Sequence, residues 1–260
     1  MCKTITVANQ KGGVAKTVTC YHLAYALAEQ RKRVLAVDFD PQINLTATLA
    51  TNEENRPEFC ITDLMSLQLK DKPLPKPSLF MASHGRIDFI HGSKELSRLE
   101  SLLQTEMGTE HFLEEILIPL RTSYDYIIID TNRAASPLMV NALTATDSVL
   151  IPINPEFYST EGLSDLITTV LKNKRRLNPN IRFEGILFTM CDMRTNLYRS
   201  TREDVEAAFA GEIRIFDAAI PRTVQVSEAV RRGLTVFEYD RDSKAGTAYR
   251  EVVKELMNVG

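Results

Sequence analysis

Short apolar runs rich in β-branched residues alternate along this chain with longer segments whose apolar residues recur every three or four positions. Residues 4–8, 34–37, 126–129, 148–151 and 185–188 read as buried strands. Residues 17–30, 138–145, 161–177, 197–209 and 244–257 carry the helical period. Strand alternating with helix predicts an α/β fold, a mostly parallel twisted sheet with helices on both faces. Right-handed crossovers then set the C-terminal strand ends along one edge, where ligands of open α/β sheets bind. Residues 53–80 break the rhythm, with Pro57, Pro73, Pro75 and Pro77 around a short helical piece at 61–67. They read as an excursion on the sheet inside a single domain spanning 1–260.

The first strand leads through Asn9 into Gln10-Lys11-Gly12-Gly13-Val14-Ala15-Lys16-Thr17 and a helix. Strand, glycine turn and helix start make a phosphate-binding context, because the helix N-terminus offers unpaired N–H groups and the positive end of its dipole. Gly12 and Gly13 let backbone approach phosphate, Lys16 reaches the β- and γ-phosphates, and the Thr17 hydroxyl can ligate Mg²⁺. The strict pattern G-x-x-x-x-G-K-[ST] fails at both glycine positions, which hold Gln10 and Ala15. Ala15 is expected to take a helical conformation rather than a positive φ. A plain turn with Lys16 at the surface is the competing reading of this segment.

Two further strand ends carry carboxylates. Asp130 ends the apolar run at 126–129, where a carboxylate beside a phosphate loop reads as a metal or switch residue. Asp38 and Asp40 flank Phe39, and are expected to leave the strand end on opposite sides. An Asx-type turn into Pro41 is the alternative for this pair.

Composition narrows the class. With 260 residues, 25 % charged and 44 % hydrophobic, the chain is of ordinary globular type and long enough to bury a core. No run approaches the roughly 18 apolar residues of a membrane span. The opening residues lack the basic and apolar regions of a secretory leader. The four cysteines, Cys2, Cys20, Cys60 and Cys191, are widely spaced and read as reduced cytosolic thiols. The net charge of −3 argues against a constitutive nucleic-acid coat, but it divides into +4 over residues 172–232 and −7 elsewhere. Solvated helix faces or a basic surface would both give that division.

Together these residues carry a resemblance. Residues 11–17, KGGVAKT, resemble the deviant Walker A box of the ParA/MinD branch of P-loop ATPases, which usually reads K-G-G-V-G-K-T. Residues 37–44, VDFDPQIN, resemble that branch's V-D-x-D-P-Q-x-N switch, and 124–131, YDYIIIDT, its Walker B strand. Glu161-Gly162-Leu163, residues 189–197 and Ile220-Pro221-Arg222 are similar to the ParA/Soj partition ATPases in particular, and the likeness covers nearly the whole chain.

The resemblance implies an ATP- and Mg²⁺-dependent ATPase used as a switch. ATP would be held by Lys11, Gly12, Gly13, Val14, Ala15, Lys16, Thr17 and Val18, with Pro221 and Arg222 near the adenine. The metal would lie at Thr17, Asp38 and Asp130, with Lys11, Lys16 and Asp40 catalytic. Asp40 would orient the attacking water, and Lys11 would cross a homodimer interface to the partner's nucleotide, a cation supplied in trans. It further implies a cytoplasmic, nucleoid-associated protein that binds double-stranded DNA non-specifically, without membrane attachment. A ParB-like centromere-binding partner would stimulate hydrolysis to segregate a plasmid, integrated element or chromosome origin.

DNA contacts are expected from Arg194, Arg199, Arg202, Arg231 and Arg232, with Lys172, Lys174, Arg175 and Arg176 as possible additions. The family's R-N-V-R-L-S-E-A-P stands here as RTVQVSEAV at 222–230, so its second arginine is Gln225. The family's P-P-S after Walker B is also absent, and Asn132-Arg133 follows instead. Arg133 reads either as a phosphate- or partner-touching cation or as ordinary loop variation.

Four alternatives stay open. One is an orphan ParA-like ATPase positioning another cargo. A MinD-like membrane switch is less expected, because residues 249–260 complete a helix without a separate basic amphipathic tail. The N-terminal stretch is likewise too short for the helix-turn-helix of larger plasmid ParA proteins. An iron–sulfur reductase of the nitrogenase iron-protein type needs paired cysteines near Walker B, and none lies between Cys60 and Cys191. A metabolic P-loop ligase of dethiobiotin-synthetase type would not use Lys11 in trans.

Overall fold

The computed structural model describes residues 2–50, 57–133, 136–156, 159–209 and 211–258, the side chains of 159–161 excepted. Residues 53–56 of the expected excursion and the Glu161 side chain therefore lie outside the described residues. Seven strands form one sheet: β1 (Lys3–Val7), β2 (Val34–Phe39), β3 (Met81–His84), β4 (Ile87–Ile90), β5 (Tyr126–Thr131), β6 (Ser148–Ile153) and β7 (Arg182–Phe188). Their order across the sheet is β3-β4-β2-β5-β1-β6-β7. Only β3 runs antiparallel, paired with β4 at one edge; the other pairings are parallel.

The helices are α1 (Lys16–Glu29), α2 (Asn44–Leu49), α3 (Ile61–Gln68), α4 (Leu96–Leu103), α5 (Phe112–Leu117), α6 (Pro137–Thr144), α7 (Ser159–Arg176), α8 (Asn196–Phe209), α9 (Val224–Arg231), α10 (Val236–Tyr239) and α11 (Lys244–Met257). The expected mostly parallel α/β sheet is present. The 81–90 segment, where no strand is expected from its pattern, folds as a hairpin through Gly85 and Arg86 at the sheet edge.

Buried strands need apolar cover on both faces, and both faces are filled. On one side α1 and α11 pack over β1, β2 and β5, with Leu23, Leu27, Tyr249 and Val252 fully buried. On the other side Leu64, Leu99, Leu113, Ile116 and Leu138 from α3 to α6 meet Val37, Ile127 and Ile129. A third cluster joins β6 and β7 to α7 and α8 through Ile151, Leu166, Val170 and Val205. No helix among the described residues is long and apolar enough to cross a membrane.

Sheet order positions the site. β5 lies between β1 and β2, with Asp130 level with Val7 on one side and Asp38 on the other. The turn after β1, the end of β2 and the end of β5 therefore meet at one edge, though they are far apart in sequence.

Candidate nucleotide site

The loop after β1 is fixed by three side chains that reach it from other strands or from its own start. Asn9, buried, accepts from the Lys11 N–H at 2.8 Å and donates to the Pro152 carbonyl at 2.8 Å. Thr189, at the end of β7, donates to the Val14 carbonyl at 3.1 Å. Thr131 donates to the Val7 carbonyl at 2.9 Å. Asn9 carries a local signal of this role, an asparagine two residues before a turn N–H, the Asx pattern. Thr189 opens the 189–197 segment that resembles the partition ATPases, but its bond to the loop has no local signal, since only the strand order brings it near.

Ala15 corrects one expectation. Its φ is 60° and ψ 34°, a left-handed conformation, not a helical one. The loop geometry demands a positive φ where the motif usually has glycine, and alanine adopts it at a cost of about 1–2 kcal/mol. Ile43 and Met190 are also left-handed, each with φ 52°. Strained backbone of this kind gathers around functional sites.

Lys16, 8 % exposed, begins α1 beside the carboxylates. Burial lowers its pKa from the ordinary range, while Asp130 and Asp40 act in the opposite direction. Asp130 is fully buried, and burial, reinforced by Asp38, pushes its carboxyl well up. Its Oδ1 takes a weak thiol contact from Cys20 at 3.6 Å, whereas Oδ2 is buried without a hydrogen-bond partner. The Thr17 hydroxyl is close enough to favour the charged form.

An orphaned carboxylate oxygen beside a threonine hydroxyl fits Mg²⁺, which binds through one or two protein oxygens plus water and phosphate. Iron–sulfur chemistry fits poorly: Cys2, Cys20 and Cys191 are buried and unpaired, Cys60 stands apart, and the described residues hold no metal-binding cluster of three or more His, Cys, Asp or Glu.

Asp38 and Asp40 correct a second expectation. They share one side, because positions two apart in an extended chain face the same way. Phe39 between them turns into the apolar cluster under α3. Asp38 is buried and spends both oxygens on backbone, accepting from Thr46 N–H at 2.7 Å and Asp40 N–H at 3.3 Å. Asp40 makes the Asx-type bond to Gln42 N–H at 2.9 Å and still lines the cavity. The two readings of this residue are therefore compatible.

Two cavities open along the loop. The first, of about 610 Å³, is lined by Gly13, Lys16, Thr17, Asp40, Gln42 and Arg133 among others. The second, of about 590 Å³, is lined by Met190, Pro221, Arg222, Val226 and Tyr249 among others. They meet at Ala15 and Val18, which line both. Cys191 N–H donates to Ile220 O at 2.9 Å and Arg222 N–H to Cys191 O at 3.0 Å, holding Pro221 and Arg222 at the second cavity. Lys11 points elsewhere, to Glu156 Oε2 at 2.5 Å.

The expected DNA-contacting arginines divide. The Arg194 side chain is 90 % exposed and forks onto Asp192. Arg199, Arg231 and Arg232 are exposed, the last 5.1 Å over the Tyr239 ring. Arg202 is turned inward, bonded to Glu206 at 2.7 Å and to the Tyr198 hydroxyl at 3.3 Å.

A glycine loop opening a helix after β1, a lysine and threonine at that helix start, and a buried aspartate on the adjacent strand define a P-loop nucleoside triphosphatase. A family model described as an AAA domain matches residues 2–183. The sporulation initiation inhibitor protein Soj of Bacillus subtilis is 38 % identical over 256 residues, 98 % of each chain. The chromosome partitioning protein ParA of Myxococcus xanthus is 37 % identical, covering 98 % of this chain and 88 % of that one. Among solved structures, a cobyrinic acid a,c-diamide synthase of Mycobacterium smegmatis with bound ADP and magnesium superposes with TM-score 0.83 at 30 % identity, covering 99 % and 95 %. The chain belongs to the ParA/Soj family of P-loop ATPases.

Proposed function

We propose that this protein is an ATP-driven partition switch: it binds MgATP, dimerises, binds DNA without sequence preference and is reset by hydrolysis. The observation that carries the nucleotide part is the convergence of Lys16, Thr17 and Asp40 on one cavity, with the unpartnered Asp130 oxygen buried beside Thr17. Phosphoryl transfer needs charge neutralisation and an oriented water more than covalent chemistry. The loop N–H groups and Lys16 hold the phosphates, and Asp40, at the cavity wall, orients the attacking water. Thr17 and Asp130 would hold Mg²⁺, which supplies neutralising charge to the phosphate oxygens. Asp38 acts from behind, fixing the Asp40 turn through its two backbone bonds. Pro221 and Arg222 border the space for the base.

Lys11 reaches a partner's nucleotide only if it leaves Glu156, so that ion pair marks the unassembled state. DNA contacts fall to the exposed Arg194, Arg199, Arg231 and Arg232, doubled by a homodimer. The reset comes from a ParB-like partner on plasmid, integrated element or chromosome, which places the protein on the nucleoid. Full-length likeness to Soj and ParA supports this reading.

The test combines size analysis with fluorescence anisotropy on random duplex, with ATP or ADP. Lys16→Ala is expected neither to dimerise nor to bind DNA. Asp40→Ala is expected to accumulate as an ATP-bound dimer on DNA, and normal hydrolysis by that variant would overturn the role given to Asp40. Salt-insensitive or ATP-independent DNA binding by wild type would overturn the partition reading. Turnover of a small carboxylate with ATP, without DNA binding, would favour a metabolic ligase instead.

A further inference from the structure

The first cavity contains a cation that neither the loop motif nor the Asp130 strand requires. Arg133 follows Asp130 by three residues and folds back over the phosphate loop. A Cβ built on Gly12 would stand 2.5 Å from Arg133 Nη1 and 2.9 Å from its Cδ. A side chain at position 12 would push the guanidinium off this path, which delivers it to the same cavity as Lys16, Thr17 and Asp40. We propose that Arg133 is a second cation for the terminal phosphate, supplied in cis by the protomer that binds the nucleotide. The proposal rests on the ATP-site reading given above.

The two cavities give the direction. They join at Ala15 and Val18, and the second holds Pro221 and Arg222, where the base is assigned. Arg133, Asp40 and Gln42 line only the first. A nucleotide laid from the second cavity into the first therefore ends its phosphate chain among Asp40, Gln42 and Arg133. The guanidinium stands at the end that distinguishes a triphosphate from a diphosphate.

Charge balance supports the same role. Lys11 is already neutralised by Glu156 at 2.5 Å. Arg133 forms none of the salt bridges found among the described residues, and its field is felt at Lys16. A guanidinium presents a planar fork of donors suited to phosphate oxygens, over which charge spreads as the terminal group transfers. With Arg133 in place, part of the neutralisation is present before a partner's Lys11 arrives.

The experiment measures binding of fluorescent ATP and ADP analogues to wild type, Arg133→Ala, Arg133→Met and Arg133→Lys, with nucleotide-free thermal midpoints as a check on folding. Loss of one charge-assisted contact corresponds to about tenfold in affinity. The alanine and methionine variants should lose about that factor for ATP and less than about twofold for ADP, with partial recovery by lysine. The ATP-specific loss should shrink as salt is raised. Wild-type affinity in Arg133→Met would overturn the proposal, since it would assign the side chain to packing on Gly12. Equal losses for ATP and ADP would also overturn it, by removing Arg133 from the terminal phosphate. If wild type binds neither nucleotide, the ATP-site reading itself falls, a result distinct from the other two.

Discussion

The two cavities that meet at Ala15 and Val18 treat polarity in opposite ways. On the phosphate side Lys16, Asp38, Asp40 and Asp130 are each 8 % exposed or less. Burial pushes Asp38 and Asp130 up and Lys16 down, so each is held in a setting that disfavours its charge. The base side has no buried charge among its lining residues; Met190, Pro221, Val226 and Tyr249 form its wall, with Arg222 at the exposed rim. It is completed from behind by protein alone. His22 bonds the Val18 carbonyl at 2.8 Å, accepts from Val236 N–H at 3.0 Å and stacks on Tyr249 at 5.0 Å. The phosphate side leaves one Asp130 oxygen without a partner, whereas the base side is satisfied without a ligand.

The largest effect should come from removing the charge that most needs a ligand. Asp130→Asn keeps the shape and discards the buried carboxylate. The nucleotide-free protein should be as stable as wild type or more so, because burial disfavours the charged form. Mg²⁺ should then lose its ability to tighten ATP binding, by a factor on the order of a hundred. Calorimetric titration with and without Mg²⁺ reads both; an undiminished Mg²⁺ effect would remove Asp130 from the metal site.

Acid tests the base side. Burial lowers the His22 pKa to about 4, against opposing pulls from the Val18 carbonyl bond and, less, from Glu238. In the unfolded chain the ring titrates at about 6.5, so between about 6.5 and 4 the unfolded state binds the extra proton. His22 therefore lends its full stability above about pH 6.5, and that contribution is lost as pH falls through the window, by roughly 3 kcal/mol at its end. His22→Gln retains an acceptor for Val236 but cannot titrate. The difference in unfolding free energy between wild type and His22→Gln should slope across that window and flatten above it. A flat difference throughout would show that the ring is not held neutral.

These contrasts also show what the sequence can and cannot reveal. Long periodic stretches such as 244–257 and β-branched runs such as 126–129 were legible, because burial on a helix face or in a central strand leaves a period. The β3–β4 hairpin was not: its strands have four residues each, and Met81–His84 lies at the sheet edge with no fully buried residue. Helix α4, LSRLESLL, has a clear apolar stripe but only eight residues between turns. Within the site, Lys16 and Thr17 were legible because loop and helix start are contiguous. The meeting of Asp38 with Asp130, the Thr189 support and the crossing of Arg133 over Gly12 depend on strand order and loop path, which no local pattern contains.

The finest test separates backbone demand from side-chain chemistry where the two cavities join. Ala15 and Gly13 both have left-handed backbone, φ 60° and 74°, and nothing lies within 4 Å of a Cβ built on Gly13. Ala15→Gly removes a strain of about 1–2 kcal/mol but gives the unfolded chain more freedom, worth about 0.4–1 kcal/mol against folding. A net gain of up to about 1.5 kcal/mol is expected, with nucleotide affinity within about twofold, since the loop offers its N–H groups either way. Gly13→Ala reverses the arithmetic and should destabilise by a similar amount without any steric clash. Chemical denaturation resolves both changes. If Ala15→Gly instead destabilises the protein, position 15 does not carry the left-handed turn, and the strain at the junction must be assigned elsewhere in the loop.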